Sequence, residues 1–333
     1  MGILAALCTA VLPAVTPQAA TAEPKPPKPP KPQPVSRAYV TNFSADTVSV
    51  INTSTNVVVT TIPVGDTPVD VAVDAGRARA YVTNRESDSV SVINTNTNAV
   101  VTTITVGDAP WEVAVDPGRA RAYVTNAADD SVSVINTDTN AVVDTITVGG
   151  SPIGVAVDPS RARAYVANSQ DDTVSVINTE TNAVVDTITV GDNPFDVAVD
   201  PGRARAYVTN QDGDSVSVIN TDTNAVVATV TVGNGPIGVA VDPGRARAYV
   251  TNFEDVTVTV INTETNAVVT TITVGSEPAH SAVDSARGLA YVTVSGDDTV
   301  AVVNTDTNAV VDTIAVGDTP NGIALLNGAG KAP

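Results

Sequence analysis

The chain repeats itself every 42 residues. Its seven tyrosines stand at Tyr39, Tyr81, Tyr123, Tyr165, Tyr207, Tyr249 and Tyr291, and no other tyrosine occurs. Gly65, Gly107, Gly149, Gly191, Gly233, Gly275 and Gly317 keep the same interval, as do seven prolines from Pro68 to Pro320. A period of this length confines the chain to architectures in which one small unit buries its apolar face only against copies of itself.

One unit, from Pro68 to Asp108, reads as four short strands. Val71-Ala72-Val73 is the first and Asp74-Ala75-Gly76-Arg77 a turn. Arg79 to Asn84 is the second strand and Ser89 to Asn94 the third. Thr95 to Asn98 is another turn, and Ala99 to Val106 the fourth strand. Val, Ile, Thr and Tyr dominate these segments, without a helical period. Seven such units predict an all-β fold over 37–326: a seven-bladed β-propeller of four-stranded antiparallel blades.

The first copy begins at Arg37, on a second strand, and the last continues to Ile323-Ala324-Leu325-Leu326, the strand the first copy lacks. The C-terminal strand is therefore expected to complete the N-terminal blade and close the ring without an open edge. Every first strand has alanine at its centre, from Ala72 to Ala324. Blades converge on the axis, so the innermost strand has room for little more.

The tetrapeptide Tyr-Val-Thr-Asn stands at 39–42, 81–84, 123–126, 207–210 and 249–252, with Tyr165-Val166-Ala167-Asn168 and Tyr291-Val292-Thr293-Val294 as departures. It closely resembles the signature of the YVTN family of β-propeller repeat proteins, over about 37–326. That resemblance implies the tetrapeptide on the second strand of each blade. It also implies a surface or binding role, as in surface-layer proteins and exported bacterial propellers; related folds include lactonases and lyases.

The ends of the chain read differently. Residues 1–22 carry a short apolar run, Ile3 to Val15, followed by Ala20-Thr21-Ala22, the pattern of a cleaved signal peptide, although no Lys or Arg precedes the run. Residues 23–36 form a Pro/Lys-rich linker of polyproline II type, either a stalk or an inert spacer. Residues 327–333 are a short tail. The mature chain is expected to be secreted, with cell-surface association left open, and monomeric.

Charge and rare residues narrow the function. Seventeen basic residues face 36 acidic ones, a net charge of −19, which disfavours nucleic acid and anionic lipid as partners. One His and one Cys cannot build a His₂ or Cys₄ metal site, a Cys–His dyad or a disulfide. No cofactor is expected. A Ca²⁺ site of loop oxygens near Asp212-Gly213-Asp214 is chemically allowed, but the spacing matches no EF-hand loop.

Within the chain the copies differ in two places: around each Pro, before the first strand, and just after each tetrapeptide, before the third. In an up-and-down blade both connections emerge on one face, and loops carry function more often than strands. The only Trp (Trp111), the three Phe (Phe43, Phe195, Phe253) and the only His (His280) fall there, with 21 of the repeat region's 35 acids and one arginine, Arg85. The recurring Asp46, Asp88, Asp130, Asp172, Asp214 and Asp298 read as turn-formers that cap local N–H groups, and Asp66, Asp108, Asp192 and Asp318 look similar. Arg85 is either an anion contact or the partner of Glu86 or Asp88.

The residues two after each Pro are Asp70, Glu112, Gly154, Asp196, Gly238, His280 and Gly322. They change while the fold does not, so packing is not expected to dictate them, and they should ring the mouth of a central channel. They are either ligand contacts or a solvated rim. The pairs Trp111-Glu112 and Phe195-Asp196 place an aromatic beside a carboxylate, which suits a sugar, a cationic group or a protein surface. The expected function is a non-catalytic binding scaffold for a protein, a surface polysaccharide or a cation. The alternatives are a passive surface protein or a lactonase-like enzyme, whose mouth would be expected to gather several His, Arg and Glu.

Overall fold

The computed structural model describes Ala10 and residues 36–326. The expected signal peptide apart from Ala10, nearly all of the linker and the tail lie outside the described residues. Twenty-eight strands form seven four-stranded antiparallel sheets, as the period requires. Blade 2 comprises Pro68–Asp74, Arg79–Asn84, Ser89–Asn94 and Ala99–Thr105. Blades 3 to 7 follow at the same interval, their first strands beginning at Pro110, Pro152, Pro194, Pro236 and Pro278. Blade 1 is closed by the two ends: Pro320–Leu326 pairs antiparallel with Arg37–Asn42, with Tyr39 opposite Ala324 and Val40 opposite Ile323. No helix among the described residues is long and apolar enough to cross a membrane.

The core is seven slabs between neighbouring blades rather than one mass. Tyr81, Val90, Val92 and Ile104 of blade 2, for example, pack on Val113, Ala122, Val124 and Ile135 of blade 3. Each fully buried Val, Ile or aromatic side chain contributes roughly 1.5–3 kcal/mol, and the slab recurs around the ring. The first-strand alanines stay half-buried beside these slabs, as convergence at the axis requires. Fourth strands form the outer rim and leave valines such as Val100 and Val101 exposed.

Three letters of the tetrapeptide, Tyr, Thr and Asn, tie blades or turns together, and the Val packs in the slab. The tyrosine hydroxyl donates to a backbone carbonyl of the next blade, Tyr81 to Thr137 and Tyr123 to Thr179 at 3.4 Å. The threonine hydroxyl accepts from the first strand of its own blade and donates to that of the next: Thr83 takes the Asp70 N–H and gives to the Trp111 carbonyl at 2.6 Å. The asparagine amide donates to two hydroxyls of the third strand, Ser89 and Ser91 for Asn84, while its oxygen accepts the Gly65 N–H. A Cβ on Gly65 would lie 2.7 Å from Asn84 Cγ, which is why that glycine keeps the period.

The opposite face is tied by arginines. Arg77 bridges Asp74 of its own turn, the Pro117 carbonyl and Asp138 of blade 3. The same clasp recurs at Arg119, Arg161, Arg203 and Arg245.

The recurring turn aspartates are structural, but their reach is longer than local. Asp46 has φ 54°, and its carboxylate accepts the N–H of Thr67, in the connection to the next blade. Asp88, Asp130, Asp172, Asp214 and Asp298 do the same. By contrast, the carboxylates of Asp66, Asp108, Asp192 and Asp318 are exposed and accept no hydrogen bond, so they are not turn-formers; the Asp108 N–H is instead capped by Asp129. Blade 6 breaks the rule with Val256 at φ 57°, where a β-branched side chain crowds the backbone and offers Glu277 N–H no acceptor. Left-handed backbone costs an ordinary L-residue roughly 1–2 kcal/mol and Asp less. Val256→Asp should therefore stabilise the protein by about 1 kcal/mol, read as a Tm rise of ~2 °C by calorimetry; a fall would show that Val256 packing outweighs its strain.

Candidate functional site

First strands begin at the proline, three residues earlier than the sequence indicates, and a bulge between Pro110 and Val113 and its equivalents re-aims the residues just after it. Trp111, Glu112, Phe195, Asp196, Asp70 and His280 thus stand on strand ends at the axis rather than in loops. Both variable connections do share one face: Arg85 N–H bonds Thr67 O, Phe43 N–H bonds Thr319 O and Phe253 N–H bonds Gly235 O.

Around the channel, large and absent side chains alternate from blade 3 to blade 1, and Asp70 on blade 2 stands next to Glu112 without a glycine between them. Glu112, Asp196 and His280 come from blades 3, 5 and 7, with Gly154, Gly238 and Gly322 on blades 4, 6 and 1 between them. Packing does dictate these glycines, contrary to the sequence-based expectation. A Cβ on Gly154 would lie 2.6 Å from the Phe195 carbonyl and 2.7 Å from Asp196 Cα, and one on Gly322 would lie 2.6 Å from Asp70 Cα. On Gly238 it would meet the Ala279 carbonyl. Seven full side chains cannot converge on one axis; the glycines let the neighbouring blade's larger residue in.

What converges is a buried polar cup. Glu112, Asp196 and His280 are 5%, 7% and 8% exposed, and one donor atom from each lies within 4.8 Å of the others. His280 Nε2 is 3.4 Å from Glu112 Oε1, an ion-pair distance without hydrogen-bond alignment, since both atoms lack a hydrogen-bond partner. The carboxylates are held from behind: Glu112 Oε2 accepts Val155 N–H at 3.0 Å, and Asp196 Oδ2 accepts Val239 N–H at 2.7 Å. Asp70 stands on blade 2, beside Glu112's blade, and its Oδ2 accepts Val113 N–H at 3.1 Å.

Burial makes ionisation costly here. It pushes the Asp196 carboxyl up to about 7, helped by the Glu112 charge and opposed by His280. It raises Asp70 to about 6, opposed by His280. Glu112 is raised well above the usual carboxylate range, by burial first and the Asp70 charge second.

The aromatic residues form a layer next to the cup. Trp111 and Phe195 meet edge to face across blade 4, with ring centroids 6.0 Å apart, as the adjacent Glu112 and Asp196 meet across it. Arg85 lies over the Trp111 ring at 5.0 Å, a cation–π contact; Glu86 is only within 3.9 Å of it, and Asp88 is occupied by Ala109 N–H. Trp111 is thus covered on one face by the chain's own cation, not an open platform. Phe43 and Phe253 belong to the turns between second and third strands, one strand further from the axis, and neither touches the Trp111–Phe195 pair.

The Asp212-Gly213-Asp214 turn gathers no ligand set, and Asp214 is spent on Gly235 N–H. Among the described residues the only group of three metal-ligating side chains is Glu112, Asp196 and His280. Counting His and Cys alone could not find it, because two of its members are carboxylates from distant repeats. The surface grooves of about 290 and 480 Å³, lined by residues such as Thr231 and Thr257 or Thr147 and Thr173, lie between outer strands and recur with the period, so nothing distinguishes one from the next.

No family model matches the sequence, and no curated protein matches it either. Solved structures do match the fold. A functionally unknown protein from Desulfotomaculum acetoxidans DSM 771 aligns with TM-score 0.77 at 18% identity, over 87% of this chain and 98% of its own. Kuenenia stuttgartiensis hydrazine synthase aligns with TM-score 0.73 at 21% identity, over 80% and 92%. Citrobacter koseri AztD aligns with TM-score 0.62 at 13% identity, over 90% and 100%. At these identities the likeness is one of architecture, and the chain is a seven-bladed β-propeller closed by its own two ends.

Proposed function

We propose that the protein is an exported, non-catalytic binding propeller that engages a positively charged protein partner through the loop face around the channel mouth. One observation carries this reading: the acids of the two faces are treated differently. On the arginine face, carboxylates are paired, as in the Arg77–Asp74, Arg119–Asp116 and Arg161–Asp158 bridges. On the mouth face Asp66, Asp108, Asp192, Asp212 and Glu254 are exposed, and no described cation pairs with them. Uncompensated charge of one sign on one face steers an oppositely charged partner and sets its orientation. The tetrapeptide resemblance supports a surface or binding role, and the coverage of Trp111 by Arg85 weighs against a sugar platform.

The test is binding of a lysine-rich protein, a neutral polysaccharide and an acidic protein to the chain, followed by Trp111 emission. The lysine-rich protein should bind, lose affinity steeply with salt, and bind on the order of tenfold more weakly to a variant carrying Asp108→Asn, Asp192→Asn and Asp212→Asn. Equal binding by that variant, or preference for the polysaccharide, would reject the proposal.

A further inference from the structure

We infer that the cup of Glu112, Asp196 and His280 binds one divalent transition-metal ion of the zinc class. The inference goes beyond the partner reading, because it concerns the buried floor of the channel mouth and not the exposed loops. Three facts lead to it. The first is unsatisfied donor capacity: Glu112 Oε1 and both ring nitrogens of His280 are buried without a hydrogen-bond partner. A buried polar atom left in that state costs roughly 1–3 kcal/mol, more when charged, and here two of them, His280 Nε2 and Glu112 Oε1, face each other.

The second is spacing. Two ligands each ~2.1 Å from a tetrahedral ion lie ~3.4 Å apart, and His280 Nε2 and Glu112 Oε1 are 3.4 Å apart. Asp196, within 4.8 Å of both, needs only a small closing movement to become the third ligand. Val155 N–H holds the Glu112 oxygen away from His280, and Val197 N–H and Val239 N–H each hold one oxygen of Asp196, as groups behind a metal ligand commonly do, leaving the second lone pair of an Asp196 oxygen for an ion.

The third is chemistry. One imidazole with two carboxylates suits zinc, cobalt or a similar ion, whereas Ca²⁺ wants six to eight oxygens and Mg²⁺ keeps its waters. The ion would also supply the positive charge that a carboxylate pair facing one imidazole lacks. Three protein donors leave a fourth position for water or for the neighbouring Asp70.

The experiment uses the full chain, stripped with EDTA and dialysed against Zn²⁺, Co²⁺, Ca²⁺ or Mg²⁺, with metal content measured by mass spectrometry. About one Zn²⁺ or Co²⁺ per chain should be retained, with the visible absorption of tetrahedral Co²⁺, and little Ca²⁺ or Mg²⁺. Glu112→Gln keeps the Val155 contact and His280→Gln keeps most of the volume; each should weaken Zn²⁺ on the order of tenfold or more while circular dichroism stays that of the folded propeller. If either variant misfolds, Co²⁺ absorption of the wild type decides alone. No retained Zn²⁺, retention unchanged in both folded variants, or tighter Ca²⁺ than Zn²⁺ would overturn the inference. Partner binding in EDTA is a separate readout, so either idea can fail without the other.

Discussion

A chain ending at Thr319 is expected to lose its cooperative folded state. Removing Pro320–Leu326 takes the innermost strand from blade 1, with its pairing from Arg37↔Leu326 to Asn42↔Pro320. Ile323 and Leu325 leave the slab against blade 7, and Ala324 and Leu326 leave the slab against blade 2. At roughly 1.5–3 kcal/mol for each large side chain when fully buried, the apolar loss alone is on the order of 5 kcal/mol. The Thr41 bonds to Gly322 are lost as well, and a strand edge opens beside the channel. Net stabilities of domains are only about 5–15 kcal/mol, so circular dichroism should show an unfolded chain or a Tm lower by ten degrees or more. A deletion of residues 327–333 alone leaves the strand whole and serves as the control. A truncated chain melting like the full one would mean that six complete blades hold the ring without the closing strand.

The second large effect is a stability that falls as pH rises from about 4 to about 7. Asp196 is shifted from 3.8 to about 7 and Asp70 from 3.8 to about 6, so the folded chain holds protons that the unfolded chain has released. Their contribution is fully present below about 4 and is lost as pH climbs through each folded value. At ~1.4 kcal/mol per pH unit, Asp196 alone contributes a few kcal/mol. Glu112, raised in the same direction by burial and the Asp70 charge, adds to the trend, and His280 opposes it for both aspartates. Calorimetry in EDTA from pH 4 to 8 should show the wild-type Tm falling, with a clearly shallower slope for Asp196→Asn. A Tm that rises across this window would mean that the cup carboxylates ionise in the folded state without penalty.

The cup also shows where repeat sequence stops being informative. The tetrapeptide is legible because its Tyr, Thr and Asn make bonds that recur around the ring, as Thr83 and Asn84 do in one blade, while its Val packs in the slab. Glycines at 154, 238 and 322 look like free variation when copies are aligned, since an alignment compares equivalent positions and not neighbours in space. Their cause is the next blade: Gly154 is small because Phe195 and Asp196 come close. Arg85 reads as an anion contact or a partner of Glu86 or Asp88, and it does lie 3.9 Å from Glu86, but the contact the sequence does not show is the one across blades, with its guanidinium over Trp111.

The linear chain thus determined the blade count, the strand order and the closing of the ring, because seven copies of a 42-residue unit bury their slabs against one another and the strand missing from the first copy follows the last. Only the tertiary structure decided which of the 21 mouth-face acids matter together. Glu112, Asp196 and His280 follow one another at intervals of 84 residues and meet because Gly154 and Gly238 on the blades between them leave the axis open, a juxtaposition created by circular geometry that no local pattern records.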